Sequence, residues 1–254
     1  MTGGVGGPPD SILTLSPPNA EILAEDPFYA LKDWFKDIEK TIKDKKILLC
    51  LDEFECLSQL IASTHDEAPL NFLRHIMQHR QQWVLLFSGA NLLTELPNYW
   101  SNYLINTQTV RVSYLDEHHA RQLITQPVPD FPANVYTPAA IDAIIHWTRC
   151  QPYLIQLLCL TLIKQINQAK RKIIEATDVE TAVPEAIKTG DQYFTELWND
   201  AANQHETLLQ ILAKQPIHDQ AALKRLIYKE MIDQETLQFQ VPMVKYAFEH
   251  RDSI

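Results

Sequence analysis

The run Ile47-Leu48-Leu49-Cys50-Leu51 is apolar at every position and stops at Asp52-Glu53. Five apolar residues cut off by acids are too few for a buried helix, and they lack the alternation of a strand with one wet face. They predict a strand covered on both sides, the pattern of a central strand in a parallel sheet. Trp83-Val84-Leu85-Leu86-Phe87, followed by Ser88-Gly89, repeats the pattern, and Thr109 to Tyr114 is a third, more alternating candidate. Helical stripes lie between and before them. Phe28, Leu31, Phe35, Ile38 and Ile42 recur at steps of three and four, and so do Leu70, Leu73, Ile76, Met77 and Arg80. Such spacing puts each set on one helix face. Helices alternating with short apolar strands predict an α/β domain with a parallel three-layer sheet over residues 27–130.

Beyond Pro127 to Pro132 no strand-like run appears for about 100 residues, and helices take over. Thr137-Pro138 reads as an N-cap with a first-turn proline, and Thr177-x-x-Glu180 as a capping box. Residues 131–190 are therefore expected to be a helical layer. Over 191–254 the order is a helix around Leu208 to Leu212, a helix around Leu223 to Ile227, a strand from Thr236 to Val241, and a helix from about Met243. That order predicts a winged helix. At the other end, residues 1–20 hold four of the six glycines and Pro8, Pro9, Pro17 and Pro18, so 1–26 reads as a flexible tail.

Composition excludes several classes. With 46% hydrophobic and 21% charged residues the 254-residue chain is no disordered polymer, and a core is expected. Its 32 acids against 22 bases give −10, which argues against coating a polyanion. Residues 191–254 alone carry 10 acids and 6 bases, which disfavours DNA even though Lys224, Arg225 and Lys229 fall together. Cys50, Cys56, Cys150 and Cys159 form no CxxC pair, which fits a reducing, cytoplasmic compartment. No window approaches the 18 apolar residues of a membrane span.

Chemistry concentrates at the first strand end. Open α/β sheets bind ligands at the carboxyl ends of their strands, where Asp52 is placed to hold a hydrated Mg²⁺ and Glu53 to orient and deprotonate a water. The segment 47–55, ILLCLDEFE, resembles the Walker B segment of P-loop ATPases of the STAND and AAA+ type. WVLLFSGA at 83–90 is similar to their sensor-1 strand, with Ser88 at the matching polar position. RCQPYLIQLLC at 149–159 resembles the GxP-containing helix start of STAND and archaeal-type AAA ATPases; Pro152 matches, and Cys150 stands where the family usually has glycine. The resemblance implies a partial P-loop NTPase sheet followed by a helical lid and a winged helix. It also implies Asp52 on Mg²⁺, Glu53 as catalytic carboxylate, Ser88 sensing the γ-phosphate and Pro152 on the base side of ATP. The departure is large: G-x-x-x-x-G-K-[ST] occurs nowhere, and only Gly89 and Gly190 follow the tail. The resemblance then implies part of a longer or split ATPase, with a sheet lacking its phosphate-loop strand and with the neighbours of Leu51 and Phe87 exposed.

Three function classes stay open at this point. One is an ATP-dependent conformational switch in signalling or regulation, partnered by other domains, another protein or further copies of itself. The second is a catalytically inactive interaction scaffold, and the third a winged-helix, initiator-like DNA binder. Smaller candidates weigh less. His75 and His79 sit one helical turn apart without a third metal ligand, Arg74 and Arg80 flank them and read first as surface salt-bridge partners and second as arginine fingers, and Ser88 lacks the G-x-S-x-G elbow of a hydrolase.

Overall fold

The computed structural model describes residues 16–89, 96–104 and 107–251. They form two compact units, one ending at Val110 and one starting at Arg111. Most of the glycine-rich tail, residues 1–15, lies outside the described residues, as does Ala90 of the FSGA segment. Ala20–Glu25, inside the stretch read as tail, forms helix α1, capped by Asn19, whose Oδ1 accepts from the amides of Glu21 and Ile22.

Helix α2 covers Pro27–Ile42 and begins where Asp26 Oδ1 accepts from the Tyr29 amide at 2.9 Å, with Pro27 in the first turn. Strand β1 (Ile47–Leu51), helices α3 (Cys56–Thr64) and α4 (Ala68–His79), strand β2 (Trp83–Phe87) and helix α5 (Tyr99–Leu104) complete the unit. The strands pair in parallel with Ile47 opposite Trp83 and Leu51 opposite Phe87. Odd-numbered residues of both strands point toward α2 and α4, where Phe35, Ile38, Phe72, Leu73, Ile76 and Trp83 form a core. Phe35 stacks on Trp83 with ring centroids 3.9 Å apart. A neighbouring cluster of Phe54, Ile61, Leu70, Leu96, Trp100 and Leu104 packs α3 and α5 beside the strand ends.

This sheet corrects the three-layer α/β expectation. Helix accounts for 61% of the described residues, among which the two parallel strands are the only sheet. Two causes are visible. The third candidate strand never forms, because Val110 and Val112 stand 78% and 91% exposed and so give residues 109–114 no face to bury. In addition, among the described residues, the even-numbered residues of the two strands meet no second helical layer: Leu48, Val84 and Leu86 are half exposed or more, and Cys50 is exposed beside them. Apolar residues on both parities reflect a strand pair with one face covered and one face bare.

The second unit is helical: α6 (Glu117–Thr125), α7 (Pro138–Thr148), α8 (Pro152–Gln168), α9 (Ala176–Thr189), α10 (Asp191–Asp200), α11 (His205–Leu212), α12 (Gln220–Tyr228) and α13 (Pro242–Glu249). Helix α8 is the central column, with Leu154, Ile155, Leu158 and Leu162 almost fully buried against α6, α7 and α9. Thr137 caps α7 as its sequence suggests, its hydroxyl accepting from Ala140. The capping box of α9 falls two residues earlier than Thr177: Asp178 accepts from the Glu175 amide and also pairs with Arg171 at 2.6 Å, and that pairing fixes the start. Toward the C-terminus the strand expected from Thr236 to Val241 is reduced to one antiparallel bridge, Ile232 to Phe239. Asp233 is the reason. Its carboxylate accepts from the Glu235 and Thr236 amides and the Thr236 hydroxyl, closing a tight turn that leaves no room for a longer wing. Among the described residues no helix is long and apolar enough to cross a membrane.

Candidate functional site

Because β1 and β2 run in parallel and end in register at Leu51 and Phe87, the next residues, Asp52 and Ser88, leave the sheet at the same end. The Ser88 amide donates to the Leu51 carbonyl at 3.0 Å, and its carbonyl accepts from Phe54 at 3.2 Å. With its backbone held on both sides, Ser88 donates its hydroxyl proton to Asp52 Oδ1 across 2.7 Å. The same oxygen accepts from the Glu53 amide at 3.1 Å. Three of the four residues singled out in the sequence thus form one exposed polar cluster.

The loop beneath them is anchored by aromatic packing. Phe54 is buried edge-on against Phe87 and Trp100, with centroids 5.6 and 5.2 Å away, and Trp100 donates its indole N–H to the Ser58 hydroxyl at 2.7 Å. With Phe54 pinned inward, the chain reverses at Glu53, which adopts a left-handed φ of 49°. That conformation costs a non-glycine residue about 1 kcal/mol. It turns the Asp52 and Glu53 carboxylates to solvent at the strand ends. Gly89 lies close on the other side, where a Cβ would come within 1.9 Å of Glu55 Oε2 and the Glu55 side chain would have to move. The Gly89–Glu55 approach was not read from the sequence; the signal was that Gly89 is one of only two glycines after the tail.

The donor set is all oxygen: one carboxylate, one hydroxyl and the adjoining Glu53 carboxylate. Such donors suit a hard cation, and Mg²⁺ keeps several waters and binds through one or two carboxylates plus substrate phosphates. Among the described residues no group of three or more His, Cys, Asp or Glu converges to hold a metal. The cluster thus offers two carboxylates and a hydroxyl and does not make a protein cage.

Pro152 lies in the second unit, in the first turn of α8, after the cap Gln151, whose side-chain carbonyl accepts from Leu154 at 2.7 Å. Arg149 and Cys150 both take positive φ, 48° and 64°. Cys150 thus adopts the backbone conformation that glycine reaches most easily. Burial pushes its thiol, and that of Cys159, above the ordinary range, Cys159 to about 11.

Other candidates resolve into structural roles. Arg80 is buried in an ion pair with Glu39 at 2.7 Å and is no exposed finger. Arg74 lies over the Tyr103 ring at 5.9 Å. His75 lies beside His79 with the rings tilted and 5.0 Å apart, and burial, with Lys32, His79 and Arg80 adding to it, keeps its imidazole below the ordinary histidine range. At the start of α6, Asp116 is the N-cap: its carboxylate accepts from the His119 amide at 2.9 Å and pairs with the His119 ring. Two cavities of the first unit lie along α2 and away from the strand ends.

No family model matches the chain, and no curated protein matches its sequence.

Proposed function

We propose that this chain supplies the acidic, cation-facing part of an ATP-hydrolysing switch of the STAND or AAA+ kind, with the phosphate-binding loop provided by another segment or chain. The observation that carries the reading is the 2.7 Å hydrogen bond joining Ser88 to Asp52 across adjacent parallel strands, with Glu53 turned outward beside it. It ties a hydroxyl, a carboxylate and a candidate base to one rigid strand end. Bound Mg²⁺ would neutralise phosphate charge there. Asp52 would hold it through Oδ2, because Oδ1 is occupied by Ser88 and the Glu53 amide. Glu53 accepts the proton of the attacking water, the work of a general base. Ser88 fixes the Asp52 carboxylate through its hydroxyl. Pro152 lies in the second unit and takes no part in this reading. The four cysteines are free, which suits a cytoplasmic setting.

A second reading, an interaction scaffold without catalysis, is favoured by the bare sheet face of Leu48, Cys50, Val84 and Leu86. Protein surfaces rarely leave such a contiguous apolar face without a partner. DNA binding has no comparable support, because the acidic balance of residues 191–254 opposes it. Calorimetric titration with Mg²⁺-ATP separates the first two readings. Weak binding that Asp52→Ala loosens by about tenfold or more, equal to 1.4 kcal/mol, is the expected result. Identical isotherms for the two proteins would favour the scaffold.

A further inference from the structure

Among the described residues strand β1 pairs along one edge only, with β2. In a pleated strand the backbone polar groups of alternate residues point to opposite edges. Ile47 donates to Gln82 and Leu51 accepts from Ser88, so the odd-numbered residues of β1 serve β2. The amides and carbonyls of Leu48 and Cys50 therefore face the outer edge, and such an edge is a template for a further strand. The strand also carries opposite charges at its two ends. Lys45 and Lys46 precede it, Asp52 and Glu53 follow it, and all four are exposed.

A strand of this kind is complementary to itself reversed. A two-fold axis at Leu49 sets β1 antiparallel to its copy, with Leu48 opposite Cys50 and Lys46 opposite Asp52. Leu48 and Cys50 both turn their backbone groups outward, so each such pair can exchange both N–H···O=C bonds, as hydrogen-bonded antiparallel pairs do. Opposite charges facing each other across strands stabilise, and like charges destabilise. The neighbouring registers are worse on that count. An axis at Leu48 sets Asp44 against Asp52, and an axis at Cys50 leaves Asp52 against Leu48 and Lys46 against Phe54. An axis between two residues would oppose outward-facing groups to inward-facing ones.

We propose that two copies of this chain join through the outer edges of β1, antiparallel about Leu49, into one four-stranded sheet in which Lys46 of each copy pairs with Asp52 of the other. Lys46 Nζ donates to the Gln81 carbonyl at 2.5 Å and keeps further protons for a carboxylate. On Asp52, Oδ1 already accepts from Ser88 and the Glu53 amide. The lysine therefore takes Oδ2, the oxygen for which Mg²⁺ competes in the nucleotide reading. Leu48 and Cys50 of the two copies lie side by side on the bare face, flanked by Val84 and Leu86. On the α2 side Leu49 meets its counterpart beside an apolar groove of about 290 Å³, which Trp34, Ile38, Ile47 and Leu49 help to line. The pairing needs only the edge and its charges and does not depend on the nucleotide reading.

Sedimentation equilibrium on the full chain, without nucleotide or Mg²⁺, tests the pairing. A monomer–dimer equilibrium is expected. Lys46→Asp and Asp52→Lys should each weaken it by at least about tenfold, and the double variant carrying both should restore it to within about threefold. A chain that stays monomeric would overturn the proposal. So would a dimer indifferent to both single variants, or one that the double variant does not restore. Should a variant fold poorly, residue-resolved amide hydrogen exchange on the unaltered chain still decides. Exchange at Leu48 and Cys50 is expected to slow as protein concentration rises, while Leu49 and Leu51, which donate toward β2, keep their rates. Rates at Leu48 and Cys50 that ignore concentration refute the edge-to-edge contact.

Discussion

Replacing Glu53 by Gln is expected to lower ATP turnover by about 10²- to 10⁴-fold, the usual worth of a general base, while ATP stays bound. The substitution suits the question because it keeps shape and removes only basicity. Glu53 is exposed, and its left-handed backbone is set by Phe54 packing on Phe87 and Trp100. Neither feature depends on the carboxylate, so the fold is expected to survive. The hydrogen bond from the Glu53 amide to Asp52 also survives, because it belongs to the backbone. The measurement is steady-state turnover in an assembly that supplies the phosphate-binding loop, with nucleotide retention followed in parallel. Unchanged turnover would remove Glu53 from the chemistry.

Arg80→Ala is expected to destabilise the first unit by about 3 kcal/mol, the penalty of breaking a buried ion pair from one side. The Arg80 side chain is 8% exposed, and its Nη1 sits 2.7 Å from Glu39 Oε1. Nη2 donates to the Lys32 carbonyl at 2.9 Å, and the guanidinium lies 5.6 Å from the centre of the Phe35 ring. Trp83 donates its indole N–H to the same Glu39 oxygen at 2.7 Å. One guanidinium therefore ties α2 to the end of α4 and to the start of β2. Its loss leaves a partly buried carboxylate that still accepts from the Trp83 indole, and takes away the guanidinium that lies against Phe35. Urea unfolding of the first unit, followed at residues of β1 and β2, checks the figure. A change below about 1 kcal/mol would mean that Glu39 is solvated as well without Arg80 as with it.

The sequence showed the elements of the first unit well and their environment poorly. Ile47–Leu51 and Trp83–Phe87 are strands in the places where apolar runs end at polar residues, and the stripes on α2 and α4 face a core. Apolar runs do not record whether a second layer exists, so Leu48, Val84 and Leu86 read as buried and stand bare. Thr109 to Tyr114 had strand-like alternation and no neighbour to pair with. Asp52 and Ser88 were separately conspicuous, and their hydrogen bond follows from the parallel register, which spacing alone does not fix. Arg80 is the ion-pair partner its sequence suggested, but a buried one, and helical spacing did not show its partner: Glu39, 41 residues away, decides its role. In the second unit Thr137 was placed correctly from local capping chemistry, while the start of α9 was drawn back to Glu175 by the Arg171–Asp178 pair.

The central claim is that Asp52, Glu53 and Ser88 make one cation-facing cluster, and Mn²⁺-ATP tests it at the level of single residues. Manganese takes the same oxygen donors as magnesium, and its unpaired electrons broaden the resonances of nearby amides. The account predicts that substoichiometric Mn²⁺-ATP broadens Asp52, Glu53 and Ser88 first, and that Asp52→Ala abolishes this selective loss. Broadening spread over the other surface carboxylates of this acidic chain, or a pattern that Asp52→Ala leaves unchanged, would contradict it.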